Sequence, residues 1–191
     1  MRGLYAVTPE GPGLVDKVRA ALDGGIALLQ YRRKHGSLDE AKLVAKLARE
    51  YRVPLIVNDD VELALAVGAD GAHLGKDDGD FATARKRLKG RILGASCYHR
   101  IELAKAAVAA GADYVAFGSV FASPTKPGAV RAPLSLFGHA LGVPKCAIGG
   151  ITLENAPQVV AAGADLLAVI TDLFDAPDIA ARARAYGKLF A

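Results

Sequence analysis

Cysteine is scarce: Cys97 and Cys146 are the only two among 191 residues, and each lies in an apolar, strand-like run. No spacing suggests metal or redox chemistry, so both read as buried thiols. The first residues, Met1-Arg2-Gly3-Leu4-Tyr5, lack the apolar stretch of a signal peptide. No run of about 18 apolar residues occurs, so no membrane span is expected, and a cytoplasmic protein follows as the default. Low-complexity tracts and linkers are missing too. The 24 basic and 20 acidic side chains leave a net charge of +4, a modest bias that suits phosphorylated substrates. No long Lys/Arg tract resembles a nucleic-acid arm, so no nucleic-acid partner is expected. The densest basic patch, Arg85-Lys86-Arg87 with Lys89 and Arg91, reads as a solvated helix face. No histidine pair has metal-ligand spacing, and no Ser-His-Asp or Cys-His arrangement can be read. His73, inside a strand-like run, reads as a packed, hydrogen-bonded core residue.

What is present is a repeat. Gly68-Ala69-Asp70, Gly111-Ala112-Asp113 and Gly163-Ala164-Asp165 each precede a short apolar run, and Gly24-Gly25-Ile26 is a weaker copy. Each copy follows an alanine-rich or apolar helical pattern, where glycine supplies a helix C-cap. The apolar runs do not alternate, as expected of parallel strands buried on both faces. Eight strand candidates emerge: Gly3–Thr8, Ala27–Arg33, Pro54–Asp59, Gly71–Lys76, Ile92–Cys97, Tyr114–Phe121, Lys145–Gly149 and Leu166–Thr171. Helical patterns separate most of them, and a last one covers about Ile179–Phe190. The pattern predicts an α/β chain forming a compact (β/α)8 TIM barrel, one domain over residues 1–191, shorter than the usual ~250. A flavodoxin-like open sheet is the rival, but it normally needs about five strands.

In such a barrel, function sits at the carboxyl ends of the strands. The second strand ends Gln30-Tyr31-Arg32-Arg33-Lys34, where alternation aims Gln30, Arg32 and Lys34 to one side. Such groups suit phosphate oxygens; a basic strand end in solvent is the plainer reading. Asn58-Asp59-Asp60 ends the third strand and Lys76-Asp77-Asp78 follows the fourth. Two acidic pairs there suit a hard cation such as Mg2+ and equally suit helix N-capping. The stretch Ser123-Pro124-Thr125-Lys126 offers two hydroxyls and an ammonium to a phosphate or leaving group, or a plain surface turn. The paired Gly149-Gly150 after the seventh strand lets backbone N–H groups approach an anion, and Ile170-Thr171 at the eighth strand completes that pair of loops. A tight turn capped by Thr152 is compatible with it.

At these residues the chain resembles the thiamine phosphate synthase family, from Leu4-Tyr5-Ala6-Val7-Thr8 to Leu166–Thr171, with several motifs in the family's order. The resemblance implies a (β/α)8 barrel. It also implies a transferase that joins hydroxymethylpyrimidine diphosphate to thiazole phosphate, giving thiamine phosphate and pyrophosphate. Gln30, Tyr31, Arg32, Arg33, Lys34, Asn58, Ser96 and Lys126 would then bind the pyrimidine diphosphate, with Arg32, Lys34, Ser96 and Lys126 acting on the leaving group. Asp59 and Asp78 would hold magnesium. Ser123, Thr125, Gly149, Gly150, Ile170 and Thr171 would hold the thiazole phosphate. The chain departs from the family at Arg33, often Glu, and at Lys76-Asp77, usually Gln-Glu; Ser123 and Thr171 exchange one hydroxyl residue for another. A thiazole tautomerase of the same superfamily is the alternative enzyme; it uses a histidine where Ser119 stands here. A non-catalytic barrel that binds phosphorylated ligands is the alternative of another class. Oligomeric state is not legible, and a homo-oligomer is left open.

Overall fold

The structure is a computed structural model and describes residues 1–122 and 130–191. Eight strands close into a parallel barrel in sequence order. They are β1 Gly3–Val7, β2 Leu28–Tyr31, β3 Leu55–Asn58, β4 Gly71–Leu74, β5 Ile92–Tyr98, β6 Tyr114–Gly118, β7 Lys145–Ile148 and β8 Leu166–Val169. All eight expected strands are present. Several of the expected runs continue past the observed strand into its carboxyl-end loop, because polar residues there leave the ladder to form the rim.

The helices are α1 Leu14–Asp23, α2 Leu38–Glu50, α3 Val61–Ala66, α4 Phe81–Arg87, α5 Ile101–Ala109, α6 Ala156–Ala161, α7 Thr171–Phe174 and α8 Ile179–Gly187. Among the described residues, a single 3-10 turn, Leu134–Gly138, stands between β6 and β7, and another, Lys188–Phe190, follows α8. No helix among the described residues is long and apolar enough to cross a membrane.

Strand alternation sorts the side chains into two cores. Leu4, Leu29, Val57, Leu93, Val115, Phe117 and Leu167 face the helices, whereas Tyr5, Val7, Leu28, Ile56, Tyr114, Cys146 and Leu166 fill the barrel interior. Both cysteines are buried and unpaired, as expected, and burial pushes the Cys97 thiol up to about 12. Gly94 makes room for one of the interior tyrosines, since a Cβ there would collide with the Tyr114 ring.

The Gly-Ala-Asp repeat has a mechanical role. The carboxylates of Asp70, Asp113 and Asp165 accept the backbone N–H groups of Leu55, Leu93 and Lys145 at 2.8, 2.7 and 2.8 Å. The aspartate leading into β4, β6 or β8 therefore docks that strand onto the first N–H of its predecessor, or of the residue next to it. The weaker copy before β2 has no aspartate and keeps only the backbone bond that all four copies share, Ala27 N–H to the Leu4 carbonyl at 2.8 Å. Arg85, from the basic patch, pairs with Asp113 at 2.8 Å and so braces the same corner.

Candidate active site at the carboxyl end of the barrel

Interior-facing positions become polar toward the strands' carboxyl ends. Gln30, Asn58, His73 and Ser96 take up the positions that aliphatic and tyrosine side chains occupy deeper in the barrel, and Gln30 and His73 are both buried. Gln30 Nε2 donates to the Tyr5 hydroxyl at 2.7 Å, and the Tyr5 and Tyr114 hydroxyls meet at 2.8 Å. Tyr114 reaches His73 Nδ1 at 2.9 Å, and His73 Nε2 lies 2.8 Å from Ser96 Oγ. The Tyr114 ring stacks on His73 with centroids 5.5 Å apart and meets Tyr5 edge-on at 5.9 Å. Burial lowers the His73 imidazole to about 4 and holds both tyrosines well above the usual phenol range. His73 is thus packed and hydrogen-bonded, and neutral around pH 7. Ser96 sits where the β5–β6 register shifts between Ser96 and Tyr98, which turns the strand end at the rim.

The two acidic pairs divide their labour. Asp60 caps α3, accepting the Leu63 N–H at 2.8 Å, and Asp77 is exposed beside Lys76 at 3.9 Å. Asp59 and Asp78 instead face one another. Burial, and then the hydrogen bond and charge of Asp78, push the Asp59 carboxyl up to about 6, while the Arg32 charge and the Asn58 amide oppose the shift. Asn58 Nδ2 donates to Asp59 at 2.5 Å, and Asp78 accepts the Gly75 N–H at 2.7 Å. Asp59 holds φ +61, a left-handed conformation rare outside glycine. Two crowded carboxylates with an arginine close by fit a small divalent cation, which relieves their repulsion. Among the described residues no third Asp, Glu, His or Cys joins them, and magnesium takes its remaining ligands from water and substrate phosphates.

Not every residue of the second strand end turns inward. The Tyr31 hydroxyl donates to Glu40 on α2 at 2.9 Å, outside the barrel. Arg33 donates to the Gly11 carbonyl at 2.7 Å and lies 3.3 Å from Glu40 and 3.7 Å from Glu10. It ties the β1–α1 loop to α2, so the departure at Arg33 adds little free charge to the rim. The Arg32 backbone is pinned through Thr8, whose hydroxyl accepts its N–H at 2.8 Å. Lys34 is exposed, and its N–H bonds Glu10 at 2.9 Å.

On the far side, Gly149 and Gly150 have φ +102 and +64, and a Cβ on either would collide with the Ser119–Ala122 segment. Thr152 and Asn155 bond reciprocally, and Asn155 Nδ2 holds the Gly150 carbonyl at 2.9 Å. Thr152 thus stabilises the turn, and Asn155 occupies the α6 N-cap position. Ile170 and Thr171 open α7 beside this loop. Ser123, Thr125 and Lys126 lie outside the described residues. A groove of about 890 Å3 lined by Lys86, Lys89 and Arg91 lies at the opposite, amino end of the barrel.

The model of the thiamine monophosphate synthase family matches residues 4–173. This chain belongs to that family. Among the family's curated members, the thiamine-phosphate synthase of Aromatoleum aromaticum is 58% identical over 100% of this chain and 97% of its own. That of Chromobacterium violaceum is 56% identical over the same shares, 100% and 97%. Among solved structures, thiamine phosphate pyrophosphorylase from Pyrococcus furiosus superposes with a TM-score of 0.87 at 35% identity, covering 98% of this chain and 94% of that one. A 3-hexulose-6-phosphate synthase at 16% identity and TM-score 0.77, covering 100% of both chains, shares the fold alone.

Sequence reasoning named Gln30 through strand alternation and Ser96 through the family but missed Tyr5 and Tyr114. The available signal was a tyrosine at an inward position of a buried strand, since a buried phenol needs a hydrogen-bond partner.

Proposed function

We propose that this chain condenses hydroxymethylpyrimidine diphosphate with thiazole phosphate at the carboxyl end of the barrel, releasing pyrophosphate. The observation that carries the reading is the meeting of Asp59 and Asp78 under the influence of Arg32, in a chain 58% identical to a named thiamine-phosphate synthase. Asp59 and Asp78 would hold magnesium, which when bound supplies positive charge against the departing diphosphate.

Arg32 offers a planar fork to phosphate oxygens, with its backbone fixed by Thr8, and Lys34 adds a mobile charge at the rim. Lys126 is assigned the same work. Gln30, Asn58 and Ser96 orient the pyrimidine diphosphate from inside the barrel. Gly149, Gly150, Ile170 and Thr171, with Ser123 and Thr125, bind the thiazole phosphate through backbone N–H and hydroxyl groups. With both substrates held, the displacement is dissociative: the diphosphate departs with the C–O bonding pair, the aminopyrimidine ring stabilises the benzyl-like cation left behind, and the thiazole nitrogen then attacks it. Little acid–base chemistry is needed, which agrees with a neutral His73, and positioning alone supplies roughly 7–11 kcal/mol of barrier lowering. No observation favours the tautomerase reading: Ser119, at the position of its histidine, donates its hydroxyl to the Phe121 carbonyl at 2.6 Å.

The test supplies purified protein with both phosphorylated substrates, with and without magnesium. Thiamine phosphate formation is expected with magnesium, and its absence under every condition refutes the proposal. Asp78→Ala is expected to lose most activity; near-normal turnover with unchanged magnesium dependence counts against the assignment. Substrate binding without turnover would point to the non-catalytic reading.

A further inference from the structure

The hydrogen bonds inside the barrel form an unbranched path, Gln30–Tyr5–Tyr114–His73–Ser96, with links of 2.7, 2.8, 2.9 and 2.8 Å. Its ends are two residues assigned above to the pyrimidine diphosphate, and the inference rests on that reading. Its middle is buried and makes no other side-chain hydrogen bond among the described residues.

With the Gln30 amide donating, counting protons gives the path one direction. Each tyrosine hydroxyl carries one proton, and a neutral imidazole carries one N–H. With Gln30 donating to Tyr5, the Tyr5 proton can go only to Tyr114. The Tyr114 proton then goes to His73 Nδ1, which leaves the imidazole hydrogen on Nε2, donated to Ser96 Oγ. Ser96 has accepted, so its own proton turns to the barrel mouth. Reversing a single link places two protons in one contact or strands a buried hydroxyl proton without an acceptor. The reverse path is complete only if the Gln30 amide also turns over. The two ends therefore change together.

We infer that Tyr5, Tyr114 and His73 are positioning residues that hold Ser96 as a donor and the Gln30 carbonyl as an acceptor toward the substrate. A hydroxyl proton aimed at the mouth suits a diphosphate oxygen. A free amide carbonyl suits an exocyclic amino group on a heterocycle.

The direct test is the His73 tautomer, read from ring 15N shifts of the 15N-histidine-labelled full chain with His73 assigned by ring-to-backbone correlations. Protonated Nε2 and bare Nδ1 are expected, both free and with magnesium and inorganic pyrophosphate added. A hydrogen on Nδ1 in the wild-type protein overturns the inference, whether or not the protein makes thiamine phosphate. Tyr114→Phe keeps the ring and removes the central link. It is expected to mix the tautomers and lower kcat about tenfold, the scale of one lost hydrogen bond, with KM for thiazole phosphate unchanged. Tyr114→Phe combined with Ser96→Ala should lose less than the two single losses multiplied together, the remainder coming from the Gln30 end; fully additive losses refute coupling through Ser96. If Tyr114→Phe does not fold, the wild-type tautomer still decides. If the wild-type protein makes no product, the functional reading fails, while the tautomer still tests the direction of the path.

Discussion

Gly150→Ala adds one methyl group against backbone that leaves no room for it. The residue holds φ +64, and the new Cβ would collide with the Ala122 carbonyl oxygen and come within 2.9 Å of Phe121 Cβ. The left-handed conformation costs a non-glycine residue roughly 1–2 kcal/mol. The loss of glycine's freedom in the unfolded chain returns about 0.4–1 kcal/mol. Backbone overpacking adds about 1–3 kcal/mol, because a carbonyl oxygen cannot swing aside as a side-chain tip can. Gly142 is the internal control: it has φ +74 and nothing within 4 Å of its Cβ position. Gly142→Ala should therefore cost between about 0 and 1.6 kcal/mol and leave kinetics unchanged. Gly150→Ala should cost about 1–3 kcal/mol more. It should also raise KM for thiazole phosphate about tenfold by displacing a backbone donor. Urea unfolding of both variants, extrapolated linearly to water, measures the first quantity, and initial rates against thiazole phosphate measure the second. Equal stability of the two variants, with an unchanged KM, would refute both the close packing and the phosphate assignment of this loop.

The carboxylates carry two further predictions. Asp165→Ala removes the acceptor for the Lys145 N–H and should cost about 1.5–3 kcal/mol of unfolding free energy, with Asp165→Asn in between; a loss within about 0.5 kcal/mol would deny the repeat its docking role. Asp59 sits at about 6 rather than 3.8, so between those values the folded state binds more protons than the unfolded state, and its contribution to stability falls as pH rises. His73, held at about 4 rather than 6.5, works in the opposite direction across the same window, because there the unfolded state binds the extra proton. Magnesium should accordingly raise Tm more at pH about 7.5 than at pH about 5. Asp59→Asn should abolish that difference, and a magnesium effect independent of pH would argue against the carboxylate pair as its site.

The barrel was legible because its signals are local. Glycine after a helix, an aspartate soon after, and then four or five apolar residues define one βα unit, and the chain repeats it without needing distant information. The rim was legible for the same reason, since each polar cluster directly follows its strand. The family pattern then attached chemistry to Gln30, Arg32, Asn58, Asp59, Asp78 and Ser96.

Which member of each local cluster does what was decided only in three dimensions. Asp59 and Asp60 are adjacent and chemically alike, yet one faces Asp78 and the other caps α3, because successive side chains leave the strand end in different directions. Strand alternation already set Tyr31 and Arg33 apart from Arg32, but their partners on α2 and the β1–α1 loop came only from the structure. Tyr5 and Tyr114 are 109 residues apart and touch only because the barrel closes. Sequence by itself determined the repeat, the barrel and the rim, since periodicity and capping act within a few residues. Only the tertiary structure decided the proton-bearing path through the centre, since hydrogen bonds between opposite strands depend on closure and register, which no local pattern encodes.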